Sequence, residues 1–385
     1  MIVCYIAAIC PKIYFEKFEG EVSVAAYQFN RLLAQGLASV ENVQVKCPVP
    51  ISLLKRMEIN ELGKNIEEEG INYILYDNKT IEAGYWGFFS ETMKNIKQWI
   101  RQDKVVVVTD ALGIVADIVS TMAHLIYGIE TVGIVTDLPQ YVGNPQKITE
   151  KARCFINLFF MRRFQKYVLL TESMSEWVNK KNKYQCIVEG ICDWNSLQEN
   201  TEEISKYDNK VCMYAGSLHR EYGIDMLIQG FLKAKVENSE LHIYGKGNYA
   251  EEIENICRQY NNVVFYGQYA HDKILEEEKK VTLLVNPRPT NEEYTKYSFP
   301  SKTLEYMASG TPVLMTRLPG MPRDYEEYVY LFQNETIDGY AQTLREVLES
   351  KDKMMETGEK ARKFILSTRN NRVQAKKIID ELKIY

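Results

Sequence analysis

The chain has 385 residues, a net charge of −5, 45% apolar and 26% charged residues. That length is too great for one ordinary hydrophobic core, so two domains are expected. The composition is normal for a folded cytosolic enzyme, and the acidic balance gives no global reason to expect nucleic-acid binding.

The opening stretch, MIVCYIAAICPKIYFEKFEG, lacks a basic leader and a small-residue cleavage site, so it reads as a first strand over Ile2–Ile9. Short β-branched apolar runs then recur at 43–47, 73–76, 105–109, 132–136, 167–171 and 186–188. Helical patterns fall between them, the clearest at 22–37 and 90–101. Near-continuous apolar strands separated by helices predict a parallel sheet covered on both faces. The polar stretch SLQENTEEISKYDNK, residues 196–210, has no apolar periodicity and reads as a linker. The alternation restarts with strands predicted at 211–215, 241–244, 263–266, 282–285, 312–315 and 329–332, and helices at 224–235 and 249–260.

The predicted fold is therefore α/β: two Rossmann-like, doubly wound parallel-sheet domains facing a cleft. The expected boundaries are 1–200, 201–367 and a final amphipathic helix, 368–385, packing back on the first domain. Ligand should sit in the cleft at the strands' carboxyl ends. No stretch reaches the roughly 18 apolar residues that span a bilayer, so a cytoplasmic location is expected, with any membrane contact peripheral. None of the eight cysteines forms a CxxC pair, which fits reduced thiols better than disulfides or zinc. No His/Cys/Asp cluster has metal-ligand spacing, so no cofactor or essential metal is expected.

The chemistry concentrates in TLLVNPRPTNEEYTKYSFPSKTLEYMASGTPVLMTRLPGMP, residues 282–322. A buried strand ends in Asn-Pro-Arg-Pro. Ser298 is then expected to cap a helix that has Pro300 in its first turn and ends at Gly310. Such a helix start favours an anion through its amides and dipole. Lys302 and Arg288 would add positive charge, and Glu305, one turn past Lys302, could accept two hydrogen bonds from a ribose diol. The arrangement suits a nucleoside diphosphate. The plain alternatives are an ordinary Lys302–Glu305 helical pair and a turn role for Arg288.

The run Phe299–Leu314, FPSKTLEYMASGTPVL, resembles the donor-site signature of group 1 glycosyltransferases of the GT-B fold, retaining and family 4-like. YAGSL at 214–218, YGIDMLI at 222–228, LHIYGKG at 241–247 and VFYGQY at 264–269 are similar to that family's preceding segments, in the same order. The resemblance implies transfer of a hexose-type sugar from a nucleoside diphosphate sugar, with retention, to a saccharide or lipid-linked oligosaccharide of bacterial polysaccharide synthesis. It assigns Glu305 to the ribose, the amides of Ser301 and Lys302 beside Pro300 to the diphosphate, and Gln268 and Tyr269 to the base. Gly216 and Ser217 would let the backbone approach the phosphates, and Gly245-Lys246-Gly247 is either a further ligand turn or a plain one.

This sequence departs from the family pattern at three places. Tyr297 stands where the family has a second glutamate, and Ser217 and Tyr222 stand where it has an arginine and a lysine. His219, Arg220, Arg288 and Lys302 are the candidate substitutes, and the donor site would extend over Tyr297, Ser298 and Phe299. In the first domain Asp110 and Asp137 each end an apolar strand, where a carboxylate either meets an acceptor or caps the next loop; Asp137 joins Arg288 and Lys302 as the catalytic candidates. Gly20 and Glu21 lie in the loop after the first strand, on the acceptor side. Residues 147–166, KITEKARCFINLFFMRRFQK, read as a core-covering helix or as a surface for anionic membrane. Two other functions fit the same fold. A nucleotide-sugar 2-epimerase is disfavoured by a total of four histidines, and a non-catalytic nucleotide-sugar-binding partner subunit is motivated by the missing cations.

Overall fold

The computed structural model describes residues 1–18, 23–57, 62–142, 145–197 and 205–384. The chain forms two compact units, one comprising Met1–Asp193 with Asn370–Tyr385 and the other Trp194–Arg369. The first unit thus ends ahead of the polar 196–210 segment.

In chain order the first unit runs β1 (Ile2–Ile6), α1 (Lys12–Phe15), α2 (Val24–Ala38), β2 (Gln44–Pro48), α3 (Ile51–Leu54), β3 (Asn65–Glu68), β4 (Ile71–Ile74), α4 (Asn78–Glu82) and α5 (Gly84–Trp99). It continues with β5 (Val105–Asp110), α6 (Ile114–Tyr127), β6 (Glu130–Val135), α7 (Ile148–Met161), β7 (Lys166–Leu169), α8 (Ser175–Val178) and β8 (Gln185–Ile187). The sheet order is β3-β4-β2-β1-β5-β6-β7-β8. Every pairing is parallel except β3 with β4. The central strands are buried on both faces, which is why β1, β5 and β6 read as unbroken apolar runs. The first strand stops short of its predicted end because the chain turns there, the Ile9 amide bonding to the Ala7 carbonyl at 2.8 Å.

Strand β3 was not anticipated. Its Asn-Ile-Glu-Glu sequence carries little β propensity. It is made by a hairpin whose turn residues Glu69 and Gly70 both take positive φ, +52° and +79°, the geometry of a tight two-residue turn.

The second unit runs β9 (Lys210–Ala215), α9 (Ile224–Ala234), β10 (Ser239–Tyr244), α10 (Ala250–Cys257), β11 (Val263–Gly267), α11 (His271–Lys280), β12 (Leu283–Asn286), α12 (Ser301–Ala308), β13 (Val313–Met315), β14 (Tyr330–Leu331), α13 (Ile337–Glu349) and α14 (Lys351–Thr368). Its six strands are all parallel, in the order β11-β10-β9-β12-β13-β14. The last helix, α15 (Asn371–Glu381), belongs to the first unit. Asn370 caps it by accepting from the Val373 amide at 3.0 Å. It lies so close to α2 that a Cβ on Gly36 would meet the Asn371 carbonyl oxygen at 2.1 Å, and Lys377 donates to the Ile187 carbonyl at 2.7 Å. All eight cysteines are free thiols.

Candidate functional site

In the second unit the first strand, β9, lies beside the fourth, β12. On either side of that pair the connections run in opposite directions, and sheets of this kind bind ligands outside the strands' carboxyl ends at that place. There β9 leads into Gly216-Ser217 and β12 into Pro287-Arg288. Three loops meet backbone to backbone: the Gly216 amide donates to the Tyr244 carbonyl at 3.0 Å and the Gly245 amide to the Gly267 carbonyl at 2.8 Å. Gly245 has φ +137°, and a Cβ on it would stand 1.8 Å from the Gly216 carbonyl oxygen. Only glycine tolerates both conditions.

Arg288 lies two residues beyond β12. Its guanidinium lies 5.2 Å from the Tyr222 ring centre and 5.6 Å from that of Tyr294, and its Nη1 donates to the Ser298 hydroxyl at 3.4 Å. Two rings thus hold one cation, a contact stronger for arginine than for lysine. Tyr222 stands where the resemblance expects a lysine. The position without its own cation therefore helps hold one supplied by another loop.

Helix α12 begins two residues later than expected, with Pro300 in place of Ser298 as the residue flanking its start and no side-chain cap. Ser298 does not cap it, because its hydroxyl is directed to Arg288. The first-turn amides of Ser301 and Lys302 have no carbonyl of their own helix to bond. Inside the helix, Lys302 Nζ reaches Glu305 Oε1 at 2.6 Å, and His271 Nε2 stands 3.5 Å from Glu305 Oε2. The ordinary i,i+3 pair does form, but Lys302 and Glu305 are both partly buried (side chains 34% and 23% exposed). Asn286 Nδ2 donates to Thr303 Oγ1 at 3.2 Å, tying β12 to α12. The buried Tyr306 hydroxyl accepts from the Ala215 amide at 2.9 Å and donates to the Ala215 carbonyl at 3.1 Å, tying α12 to the end of β9.

The remaining sequence candidates divide. Gln268 and Tyr269 are exposed beyond β11, with Tyr269 edge-on to Tyr244 at 5.4 Å. Arg220 leans over the Tyr249 ring at 4.8 Å instead of toward Arg288's rings. Tyr297 and Phe299 are buried, and Phe299 packs edge-on against Tyr325 at 5.1 Å. What Phe299 can offer a ligand is its main chain.

Sequence reasoning missed Glu278, His271 and Tyr294. Glu278 is fully buried on α11 and neither carboxyl oxygen has a hydrogen-bond partner. Burial first, and then the charge of Glu305 close by, push its pKa well above the ordinary carboxylate range. The legible signal was a carboxylate set on the apolar stripe Ile274–Glu278–Val281, at i, i+4 and i+7.

In the first unit the matching crossover lies between β1 and β5. Asp110 sits there, accepting from Asn30 Nδ2 at 2.9 Å and from the Leu112 amide at 3.3 Å, while Tyr5 donates to Asn30 at 2.8 Å. Asp110 thus fixes its own loop, as the plain alternative expected, and burial raises its pKa. Asp117, on α6, is buried with both oxygens unpartnered, its pKa raised by burial and by Asp110. Asp137 is exposed just past β6. Gly20 and Glu21 lie outside the described residues.

Helix α7 is not a core-covering helix. It buries only Asn157 and Met161 and exposes Ile148 (86%), Phe155 (71%), Ile156 and Phe159. Lys147, Lys151, Arg153 and Arg163 are exposed around them, and Arg163 lies over the Phe159 ring at 3.4 Å. Among the described residues no helix is long and apolar enough to cross a membrane.

A family model for "Glycosyl transferases group 1" matches residues 160–364, a little over half the chain. No curated protein matches the sequence. Solved structures resemble the whole chain at low identity. Sucrose-phosphate synthase from Thermosynechococcus elongatus superposes with a TM-score of 0.67 at 15% identity, over 100% of this chain and 98% of that one. Anabaena HepE, solved in complex with UDP and glucose, gives 0.64 at 12%, over 100% of both chains. The lipopolysaccharide outer core galactosyltransferase WaaB gives 0.61 at 14%, over 100% and 99%. At such identities the likeness establishes the shared two-domain fold.

Proposed function

The chain belongs to the group 1 glycosyl transferases and is a nucleotide-sugar-dependent enzyme of the GT-B fold, and from that premise we propose that it carries a hexose from a nucleoside diphosphate to a saccharide or lipid-linked oligosaccharide of polysaccharide synthesis, with retention. The observation that carries the reading is Arg288, held between Tyr222 and Tyr294 where β9 and β12 meet, beside the start of α12. Breaking the anomeric C–O bond leaves charge on the departing diphosphate. Arg288, the amides of Ser301 and Lys302, and the α12 dipole would stabilise that charge more in the transition state than in the bound donor. Glu305 would accept from the ribose diol, and Lys302, released from Glu305 by the incoming nucleotide, would turn to the phosphates. Gly216 and Gly245 leave the strand ends bare of side chains. Asp137, exposed past β6, would serve the acceptor.

Structures of HepE with UDP and with UDP-glucose favour a uridine diphosphate hexose as the first donor to test. A thermal-shift screen of UDP, GDP, ADP and their hexose conjugates checks the reading. A true donor at 100 times its Kd adds about 2.7 kcal/mol, a Tm rise of about 5–10 °C for a unit of this size. Glu305→Ala and Lys302→Ala should each remove most of that rise. If both respond like the parent, the site lies elsewhere.

We propose further that α7 seats the enzyme on anionic membrane carrying a lipid-linked acceptor. Exposed Phe155, Ile156 and Phe159 with four flanking cations fit a headgroup boundary, each cation contributing about 1 kcal/mol near an anionic surface. The protein should co-sediment with phosphatidylglycerol vesicles, not with phosphatidylcholine vesicles. Phe155→Ser with Phe159→Ser should weaken the association at least about tenfold. Equal sedimentation of parent and double variant would remove the proposal.

A further inference from the structure

A buried acid with no partner is expensive, because it must be either desolvated as a charge or left as an unmet donor and acceptor. Glu278 is such a group, fully buried in the second unit with both carboxyl oxygens unpartnered. It projects from the same face of α11 as His271, two turns away, and His271 approaches Glu305 at 3.5 Å. The end of α11 is fastened to the loop after α12, with the Thr311 hydroxyl donating to the Glu278 carbonyl at 2.6 Å and Lys206 donating to Thr311 at 2.7 Å. The charged and titratable groups acting on Glu278 are Glu305, Lys302 and Lys279, and it in turn acts on Tyr306.

Resting on the donor reading above, we propose that Glu278 is a positioning residue for nucleotide recognition, supporting the Glu305 carboxylate from the protein side so that it meets the ribose diol. Burial without a partner favours the protonated form of Glu278, whose O–H would be offered to Glu305, the foremost charge acting on it. A carboxylate offers about four lone-pair directions. Lys302 and His271 approach Glu305 from partly exposed side chains (34% and 49%), which a nucleotide can displace. Glu278 stays when they leave, and fixes the rotamer that the diol finds. Glu278 touches neither substrate nor reacting atoms and works through Glu305 alone.

The test uses the full chain and whichever of UDP, GDP or ADP the parent binds best, with its 2′-deoxy counterpart, by calorimetry. The parent should prefer the ribonucleotide about tenfold, the worth of one hydrogen bond to a charged acceptor. Glu278→Met should reduce that preference to about twofold with the deoxynucleotide affinity unchanged, and should melt at or above the parent because the unpartnered acid is gone. Glu278→Gln should keep the preference, since its amide still donates. The inference is overturned if Glu278→Met keeps the tenfold preference, if Glu278→Gln loses it too, or if Glu278→Met weakens both nucleotides equally and lowers Tm. Should the parent bind none of the three diphosphates, the donor reading itself fails and this inference falls with it.

Discussion

Arg288→Ala should lower kcat/KM for sugar transfer by about 100- to 1,000-fold, the usual loss when one preorganised donor to a developing anion is removed. The loss should appear in kcat more than in KM, because the diphosphate is more charged as it departs than while it is esterified. The fold should hold, since Arg288 is partly exposed and its guanidinium meets two ring faces and one hydroxyl. Arg288→Lys should rescue little: an ammonium neither stacks on two rings nor presents a planar fork to phosphate. Tyr222→Leu should cost about three- to fivefold, the worth of one partly exposed cation–π contact, by letting the guanidinium wander. Steady-state rates for the three variants, with Tm measured alongside, decide the matter. If Arg288→Ala retains activity within threefold of the parent, another cation neutralises the leaving group. Arg220, over Tyr249, is then next in line.

The Tyr222–Arg288 pair marks the boundary between what the sequence discloses and what it does not. The central strands were legible because each is a short apolar run set between segments of helical period, and burial on both faces leaves no alternation to misread. The edge strand Asn65–Glu68 escaped because a hairpin turn makes it, and its own residues argue against it. Helix α12 was legible as Pro-Ser followed by an apolar stripe. Its cap was not, because Ser298 serves Arg288 ten residues upstream and Pro300 flanks the helix instead. Tyr222 looked like a loss of charge in the linear pattern. The fold alone reveals that a tyrosine at 222 and one at 294 converge on the same arginine. Glu278 was overlooked for the same reason: a glutamate in HDKILEEEKK looks like one of several solvated acids until α11 turns it inward. Helix α7 misled in the opposite direction, since an aromatic-rich stretch normally packs inward and this one leaves Phe155 and Phe159 outside. Spacing along the chain reports which residues share a face; it does not report what that face meets.

Gly245→Ala should give the largest structural effect of any single methyl group added in the second unit. The new Cβ would stand 1.8 Å from the Gly216 carbonyl oxygen, and the neighbouring atoms are also backbone, with the Gly216 amide nitrogen at 3.5 Å. No side chain can rotate away to make room, so β9 and β10 would have to separate at their carboxyl ends. That separation would strain the Gly216–Tyr244 and Gly245–Gly267 hydrogen bonds, which align three loops. The φ of +137° adds a backbone penalty of about 1–3 kcal/mol for any L-residue. Together these should destabilise the unit by about 3 kcal/mol or more, a Tm decrease of about 6–12 °C. Nucleotide should no longer bind the variant even well below its melting range, because the Gly216 backbone is displaced from the diphosphate. Gly84→Ala is the control: it also has positive φ, +62°, yet a Cβ there meets nothing within 4 Å. It should cost only the conformational penalty, roughly 1 kcal/mol, and leave nucleotide binding intact. Equal damage from the two substitutions would mean that strain alone, and not the close approach of β9 and β10, makes glycine necessary at 245.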